Sequence, residues 1–392
     1  MKIRLLSALA ACPLATMAAS ALPLSQYVNP FIGTQPNPVI HEDYGWDTGN
    51  VFPGAVCPRG MLAWSPDTTH KNRIAGGYWY PDKTIEDFSL THFSGRGVVC
   101  LMDVPFMPTM QPINASPGVD WKPFASTFSH TNEFASAGYY RVKLDNGIET
   151  ELTATPRTGM ARFTFPRHSP AAPGPSFGNG ITPLDFPSIL IGADGSISAD
   201  GNEVTGADHN HIGGAKRDFT IYFVAQFDRP FRRVQTWMGD SLSDASNARG
   251  KKCGAILTFD ATNPVVLVRA AISYVSLQNA RANLAAENSS WDFSSVRQKA
   301  AARWNSVLDR IEVDGGSDAQ KQSFYTALYH CFMHPNLLDD VNGQYPGMDD
   351  KIHSVEPGHH QYQNIPAWDQ YRSLAPLIAI LAPDDASDIA QS

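Results

Sequence analysis

Residues 139–155, "YYRVKLDNGIETELTAT", alternate apolar and polar side chains on both sides of Asn146-Gly147. Successive side chains on a strand point to opposite faces, so each arm of this stretch buries one face and wets the other. Asn-Gly favours a two-residue turn whose twist suits a β-hairpin, which commits this part of the chain to antiparallel pairing. Asp194-Gly195 and Asp200-Gly201 carry similar turn signals. "FTIYFVAQF" at 219–227 and "PVVLVRAAISYVS" at 264–276 hold the β-branched and aromatic residues that strands favour. Many strands at hairpin spacing, with no helical period among them, predict antiparallel sheets packed as a sandwich over about residues 24–275. "HSPAAPGPSFGNGITP" at 168–183 is interrupted by proline and glycine throughout and reads as a surface loop.

The period changes near residue 290. Val296, Ala300, Trp304, Leu308 and Ile311 fall four, four, four and three apart, which lays one apolar stripe along a helix. Gly315-Gly316 ends it, and Ser317 with Gln320 forms a capping box for a helix that turns Phe324, Leu328 and Phe332 inward. A last periodic stretch, 366–381, starts at Pro366 and carries Leu374, Leu377, Ile378 and Leu381. At 392 residues the chain exceeds the roughly 250–300 that one core supports, so two domains are expected. The division read from these signals is a signal peptide at 1–21, a β-sandwich at 22–280, a helical linker at 281–316 and the start of a helical domain at 317–392.

Lys2 and Arg4 precede an apolar run to about Ala18, and Ala19-Ser20-Ala21 gives a small-x-small cleavage pattern, so an exported, periplasmic or secreted protein is expected. "LAAC" at 9–12 also resembles a lipobox that would lipidate Cys12. No later segment reaches the roughly 20 apolar residues of a membrane span. The net charge of −8 comes from scattered acids, which points away from nucleic acid or an anionic membrane as partner. Cys57, Cys100, Cys253 and Cys331 show neither a disulfide framework nor a C-x-x-C metal pattern, and free buried thiols are expected.

No nucleophile elbow, P-loop, H-E-x-x-H or dinucleotide fingerprint is present. "DDVNGQYPGMDD" at 339–350 lacks the glycine spacing of a calcium loop and reads as a polar turn. His209 and His211 would share one strand face as a conceivable metal pair, though a polar loop explains them as well. His359 and His360 are neighbours that would point apart, as in a solvated loop. The segment 76–97 gathers Tyr78, Trp79, Tyr80, Phe88, His92 and Phe93 with Ser94, Arg96 and three acids. Sugars present C–H faces that pack on aromatic rings and hydroxyls that need donors and acceptors, so this mixture suits a carbohydrate, whereas a sandwich core would use the same rings for packing. In "PAWDQYR" Asp369 and Arg372 sit three apart, on one face if helical, either as an ion pair or as a grip on two sugar hydroxyls beside Trp368.

"YVNPFIGT" at 27–34, "FPGAVCPRGMLAWSPDT" at 52–68, "GGYWY" with "FSLTHFSGRG", "FYTALYHCFMHPNLLDDVNGQYPGMD" at 324–349 and "WDQYR" together resemble glycoside hydrolase family 92, the calcium-dependent exo-α-mannosidases of bacteria. The resemblance implies a mainly β fold with α: an N-terminal antiparallel β-sandwich, a linker helix and the first helices of an incomplete (α/α)6 barrel. It implies inverting hydrolysis of terminal α-mannose in glycans, with one carboxylic acid protonating the leaving oxygen and a carboxylate activating water. By the same resemblance Phe52, Gly54 and His92 line the sandwich side of a mannose pocket and Trp368, Asp369 and Arg372 the helical side. The family's catalytic acid, base and most calcium ligands belong to later helices, so none is assigned to a position here and a complementing C-terminal polypeptide is a conceivable partner. The other reading of the same residues is a non-catalytic carbohydrate-binding or structural sandwich.

Overall fold

The computed structural model describes residues 23–37, 48–95, 99–167, 187–212 and 217–392, without the side chains of 211, 212 and 217. The expected export signal, Cys12, Arg96, the 168–183 loop and the His211 side chain lie outside what is described.

Residues 55–273 form one antiparallel ladder. It runs from Thr84–Ser89 through Ser126–Ser136, Tyr139–Leu144, Glu149–Ala154, Thr158–Thr164, Val265–Ser273, Arg217–Phe227 and Glu203–Ile212 to Ser188–Asp200. The short strand Phe106–Thr109 then pairs with Ser188–Asp200 on one side and Thr84–Ser89 on the other, closing the ladder on itself. Trp64, Phe88, Phe106, Tyr140, Phe163, Ile191, Phe223 and Val268 meet in one apolar core drawn from all parts of the ladder. Alternation decides who points inward: in Tyr139–Leu144 the residues Tyr140, Val142 and Leu144 are buried while Arg141 and Lys143 are exposed.

Two turn readings are corrected. Asn146-Gly147 does link two paired strands, but through Asp145–Ile148 rather than a two-residue turn: Leu144 N–H donates to Ile148 O at 2.8 Å, and only Gly147, at φ 87°, is left-handed. A type I turn closed by a left-handed glycine spans a longer hairpin loop in this way. Asp194-Gly195 is no turn; it lies inside the strand Ser188–Asp200, where a β-carbon on Gly195 would come within 2.8 Å of His209 Cδ2. The glycine there permits close strand approach. Asp200-Gly201 does turn the chain, with Gly201 at φ 58°.

Helix α1 (Leu277–Glu287) was not evident in the sequence, and the reason is chemical. Its buried residues are Asn279, Ala280, Asn283 and Leu284, so half of its inner face is amide rather than hydrocarbon. Asn279 and Asn283 donate to Asp340 at 2.8 and 2.6 Å, and Ser273 adds a third bond at 2.6 Å. Helix α2 (Phe293–Leu308) buries Val296, Ala300, Trp304 and Leu308 as the stripe predicts, capped by Asp292. Ile311 lies beyond its end. Helix α3 (Asp318–Cys331) begins with the expected Ser317–Gln320 capping box, but Phe324 is exposed; the inner face is Tyr325, Leu328 and Tyr329, followed by Phe332 just past the end. Those positions fall at i, i+3, i+4 and i+7, one face of a helix, so Leu328 and Phe332 of the expected stripe are kept and Tyr325 takes the place of Phe324.

The stretch 366–381 is two helices, not one: α4 (Ala367–Gln370) and α5 (Leu374–Leu381), followed by α6 (Pro383–Gln391). Pro376 explains the break. It lacks an N–H and its ring clashes with the carbonyl four residues back, so it is tolerated in the first turn of a new helix but not inside a continuous one. The expected polar turn at 339–350 is a small hairpin pairing Gln344–Pro346 with Ile352–Ser354.

Sandwich and helices share a second apolar cluster in which Phe52, Val56, Trp304, Tyr325, Tyr329, Phe332 and Ile378 meet. Ion pairs made by two buried arginines cross the same seam. Arg157 donates to Asp339 at 2.7 Å and Glu287 at 3.0 Å, and Arg59 to Asp385 at 2.8 Å.

Candidate functional site

The sandwich loop 50–54 packs under the loop 91–95. Asn50 Oδ1 accepts the Ala75 N–H at 2.9 Å, and Phe52, buried, faces the His92 ring at 5.1 Å. Gly54 sits where a β-carbon would stand 2.3 Å from Ser65 Cβ and 2.4 Å from Trp64 O. The neighbouring strand crowds it at residues 64 and 65, so Gly54→Ala is expected to cost about 1–3 kcal/mol by overpacking. A melting temperature within error of the parent would contradict that.

His92 is wholly buried. Its Nδ1 lies 2.9 Å from Ala63 O and its Nε2 3.0 Å from Asp67 Oδ1 and 3.3 Å from Ser89 Oγ. Burial alone would raise the Asp67 carboxyl, but His92 and then Lys71 hold it below the usual range. Ser, His and Asp are thus in contact without forming a nucleophilic triad. Serine and aspartate share one ring nitrogen, and all three side chains are buried. Phe52, Gly54 and His92 therefore shape the sandwich wall from beneath and offer no atom at its surface.

The aromatic segment divides the same way. Tyr78 is buried and donates to Glu133 at 2.8 Å, and Phe88 is core. Trp79, Tyr80 and Phe93 stay partly exposed: Trp79 against His70 at 4.3 Å, Tyr80 stacked on His130 at 3.9 Å, Phe93 stacked on His334 at 5.1 Å.

Across the seam, α4 presents Trp368, 82% exposed, and Asp369, whose carboxylate has no partner among the described residues. Arg372 falls just past α4, so the expected shared helical face with Asp369 does not form. Neither do the two make an ion pair; Arg372 Nε donates to Tyr371 Oη at 2.6 Å. The helical side thus offers an exposed indole, a carboxylate and a guanidinium. It is tied to the sandwich loop through His334, Asn336 and Asn364, residues of connecting segments that no periodicity marks in the sequence.

The remaining sequence candidates resolve as structural pairs. His359 lies 2.7 Å from Asp388, and His360 lies 3.1 Å from Asp339, which raises the His360 imidazole above its ordinary value. His209 bonds Thr220 at 2.8 Å. Cys57, Cys100, Cys253 and Cys331 are free; all but Cys331 are buried, and burial pushes the Cys57 thiol up to about 12, which makes it inert at neutral pH. Among the described residues no group of three or more His, Cys, Asp or Glu side chains is placed to hold a metal ion.

A cleft of about 430 Å³ lies elsewhere on the sandwich, walled by Met102, Trp121, Asp194, His209, Trp237 and Lys252. Phe52, Gly54, His92, Trp368, Asp369 and Arg372 are not among its lining residues. Its buried carboxylates are already spent. Asp103 accepts from Thr91 at 2.6 Å and from Asn210, and burial followed by the charge of Asp208 pushes it up to about 7. Asp208 accepts the N–H groups of Val104 and Asp194 at 2.9 and 2.7 Å.

An all-antiparallel sandwich docked on helices, with Phe93 stacked on His334 across the seam and an exposed Trp368 on α4, is the build of a two-domain carbohydrate-active protein. Residues 27–273 match the glycosyl hydrolase family 92 N-terminal domain and residues 279–392 the glycosyl hydrolase family 92 catalytic domain. A family GH92 α-mannosidase from Bacteroides thetaiotaomicron superposes with a TM-score of 0.82 at 31% identity, over 95% of this chain and 50% of that one. A GH92 inverting mannosidase from the same organism superposes with a TM-score of 0.80 at 26% identity, over 95% of this chain and 48% of that one. An uncharacterized secreted glycosidase of Arthroderma benhamiae is 25% identical over 350 residues, 82% of this chain and 42% of that protein. The chain belongs to glycosyl hydrolase family 92. It spans about half the length of these relatives.

Proposed function

We propose that this chain supplies the sandwich and the first helical part of an exported exo-α-mannosidase that releases terminal α-mannose from glycans with inversion. The observation that carries the reading is Trp368, Asp369 and Arg372, exposed together on or beside α4 while that helix is anchored to the sandwich loop beneath. An indole face for sugar C–H groups, a carboxylate acceptor and a guanidinium donor are what one hexose needs to be oriented. One of the solved GH92 relatives is a complex with mannoimidazole, which supports mannose as the sugar. In this proposal the acid, the base and the calcium ligands come from helices that pack against α4–α6, in the same or a complementing polypeptide. Export rests on the leader at 1–21, supported by the secreted relative.

Hydrolysis of α-1,2-mannobiose, followed by NMR of the released anomer, tests the reading. The 392-residue chain alone is expected to release no measurable mannose, because loss of acid and base forfeits roughly a hundredfold to ten-thousandfold each. Joined to the rest of a family 92 catalytic domain, it is expected to release β-mannose, and Trp368→Ala is expected to lower kcat/KM by at least about tenfold. Mannose release by the chain alone, or an α-anomer as first product, would overturn the proposal.

The exposed apolar groups on these helices, Trp368, Tyr371 and Ile380, also predict concentration-dependent self-association. Sedimentation of the 392-residue chain and of its Trp368→Ser/Ile380→Ser variant checks this: association should weaken in the variant, whose substitutions touch only exposed positions. A well-behaved monomer at all concentrations in the parent chain would contradict the expectation.

A further inference from the structure

We propose that His334 is a positioning residue, its imidazole coupling the sandwich loop at 92–95 to the turn that launches α4 and so keeping the two walls of the candidate saccharide site in register. This rests on the reading of that site given above. The Ser94 backbone N–H donates to His334 Nε2 at 2.9 Å. A peptide N–H can only donate, so Nε2 carries no proton and the hydrogen sits on Nδ1. Nδ1 in turn donates to Asn336 Oδ1 at 3.1 Å. Asn364 Nδ2 donates to that same oxygen at 2.7 Å. Asn364 stands at φ 58°, a left-handed conformation that asparagine tolerates, and Ile365-Pro366 lead directly from it into α4. The Phe93 ring covers the imidazole at 5.1 Å and 19°. Ser94, His334, Asn336 and Asn364 thus form one hydrogen-bonded path across the seam.

Only a planar group that accepts on one edge and donates on the other completes this path. A leucine would strand the Ser94 amide, and a protonated imidazole would set N–H against N–H. The environment favours the neutral ring. Burial pushes His334 down to about 4, with the Asn336 bond acting in the opposite direction. The charge acting on it is Arg59, whose Nη1 donates to Pro335 O at 3.2 Å and which Asp385 on α6 pairs at 2.8 Å.

Hydrogen exchange of the 392-residue chain, read peptide by peptide by mass spectrometry, tests this with His334→Ala and His334→Gln. Glutamine keeps a donor and an acceptor but cannot titrate. At neutral pH His334→Ala should speed exchange in peptides 91–95 and 364–372 by about tenfold, while Val265–Ser273 stays as in the parent and His334→Gln stays near the parent throughout. Near pH 4, after correction for intrinsic exchange, the same two peptides should loosen in the parent and not in His334→Gln. Unchanged exchange at 364–372 in His334→Ala, or a rise spread uniformly into Val265–Ser273, would overturn the proposal. No sugar enters the measurement, so a failed mannosidase assay and a failed positioning role remain distinguishable.

Discussion

Trp304→Ala is expected to lower the unfolding free energy by about 3–5 kcal/mol, the range for emptying a large aromatic site in a core. Trp304 is fully buried where α2 meets the sandwich, with the Tyr329 ring 4.2 Å away and its Nε1 donating to Val56 O at 2.7 Å. The substitution removes the filling of the cluster that joins the two parts and leaves a buried carbonyl without its donor. Urea titration followed by far-UV circular dichroism should show a lower midpoint with an unchanged slope. Trp304→Phe should recover most of the loss and keep about 1 kcal/mol of it, the share of the missing hydrogen bond. A second transition in the alanine variant, with the sandwich unfolding at the parent midpoint, would mean that sandwich and helices do not unfold as one unit.

The second large effect is acid sensitivity from two histidines. His334 is buried and His330 partly buried with its Nε2 enclosed, and burial pushes each from 6.5 down to about 4. The unfolded chain therefore takes up protons that the folded chain refuses. Their contribution is fully present above the unfolded value, is lost as pH falls through 6.5, and stops changing below about 4. Each histidine is expected to cost about 3 kcal/mol across that window. Asp103 works against them: held near 7, it binds a proton more tightly folded than unfolded and gains stability as pH falls. The histidine part is isolated by difference, comparing unfolding midpoints of the parent and of His330→Gln at pH 7 and pH 4. The variant should lose about 3 kcal/mol less than the parent over that interval. Parallel pH profiles would refute the assignment for His330. His330 Nε2 is buried without a hydrogen-bond partner among the described residues, so the neutral amide leaves no charged contact unmade.

What could be read from the chain follows from how each element buries its face. The strands 139–154, 217–227 and 265–273 were legible because alternation and β-branched residues report a pleated, half-buried surface. Helix α2 was legible because its inner face is hydrocarbon throughout. Helix α1 was not, because it packs through Asn279 and Asn283 onto Asp340, and no hydropathy pattern marks an amide that is buried by hydrogen bonding. The break between α4 and α5 was visible in principle at Pro376, and apolar spacing on either side concealed it. At the site, residue types pointed to a sugar but could not say which rings are surface. Tyr78, Phe88 and His92 went into the core, while Trp368 stayed out. His334 and Asn364 act through connecting segments, where only the folded path reveals the partner.

The short strand Phe106–Thr109 has a wider consequence, since it closes the ladder by pairing on both sides. The two ends of the ladder path are then only the brief strands Ala55–Val56 and Ser241–Ser243. Long unpaired strand margins are templates on which further chains add, and the two terminal strands of this path are only two and three residues long. The exposed apolar groups on or beside α4 and on α5, Trp368, Tyr371 and Ile380, then offer a broader surface for association than either terminal strand does.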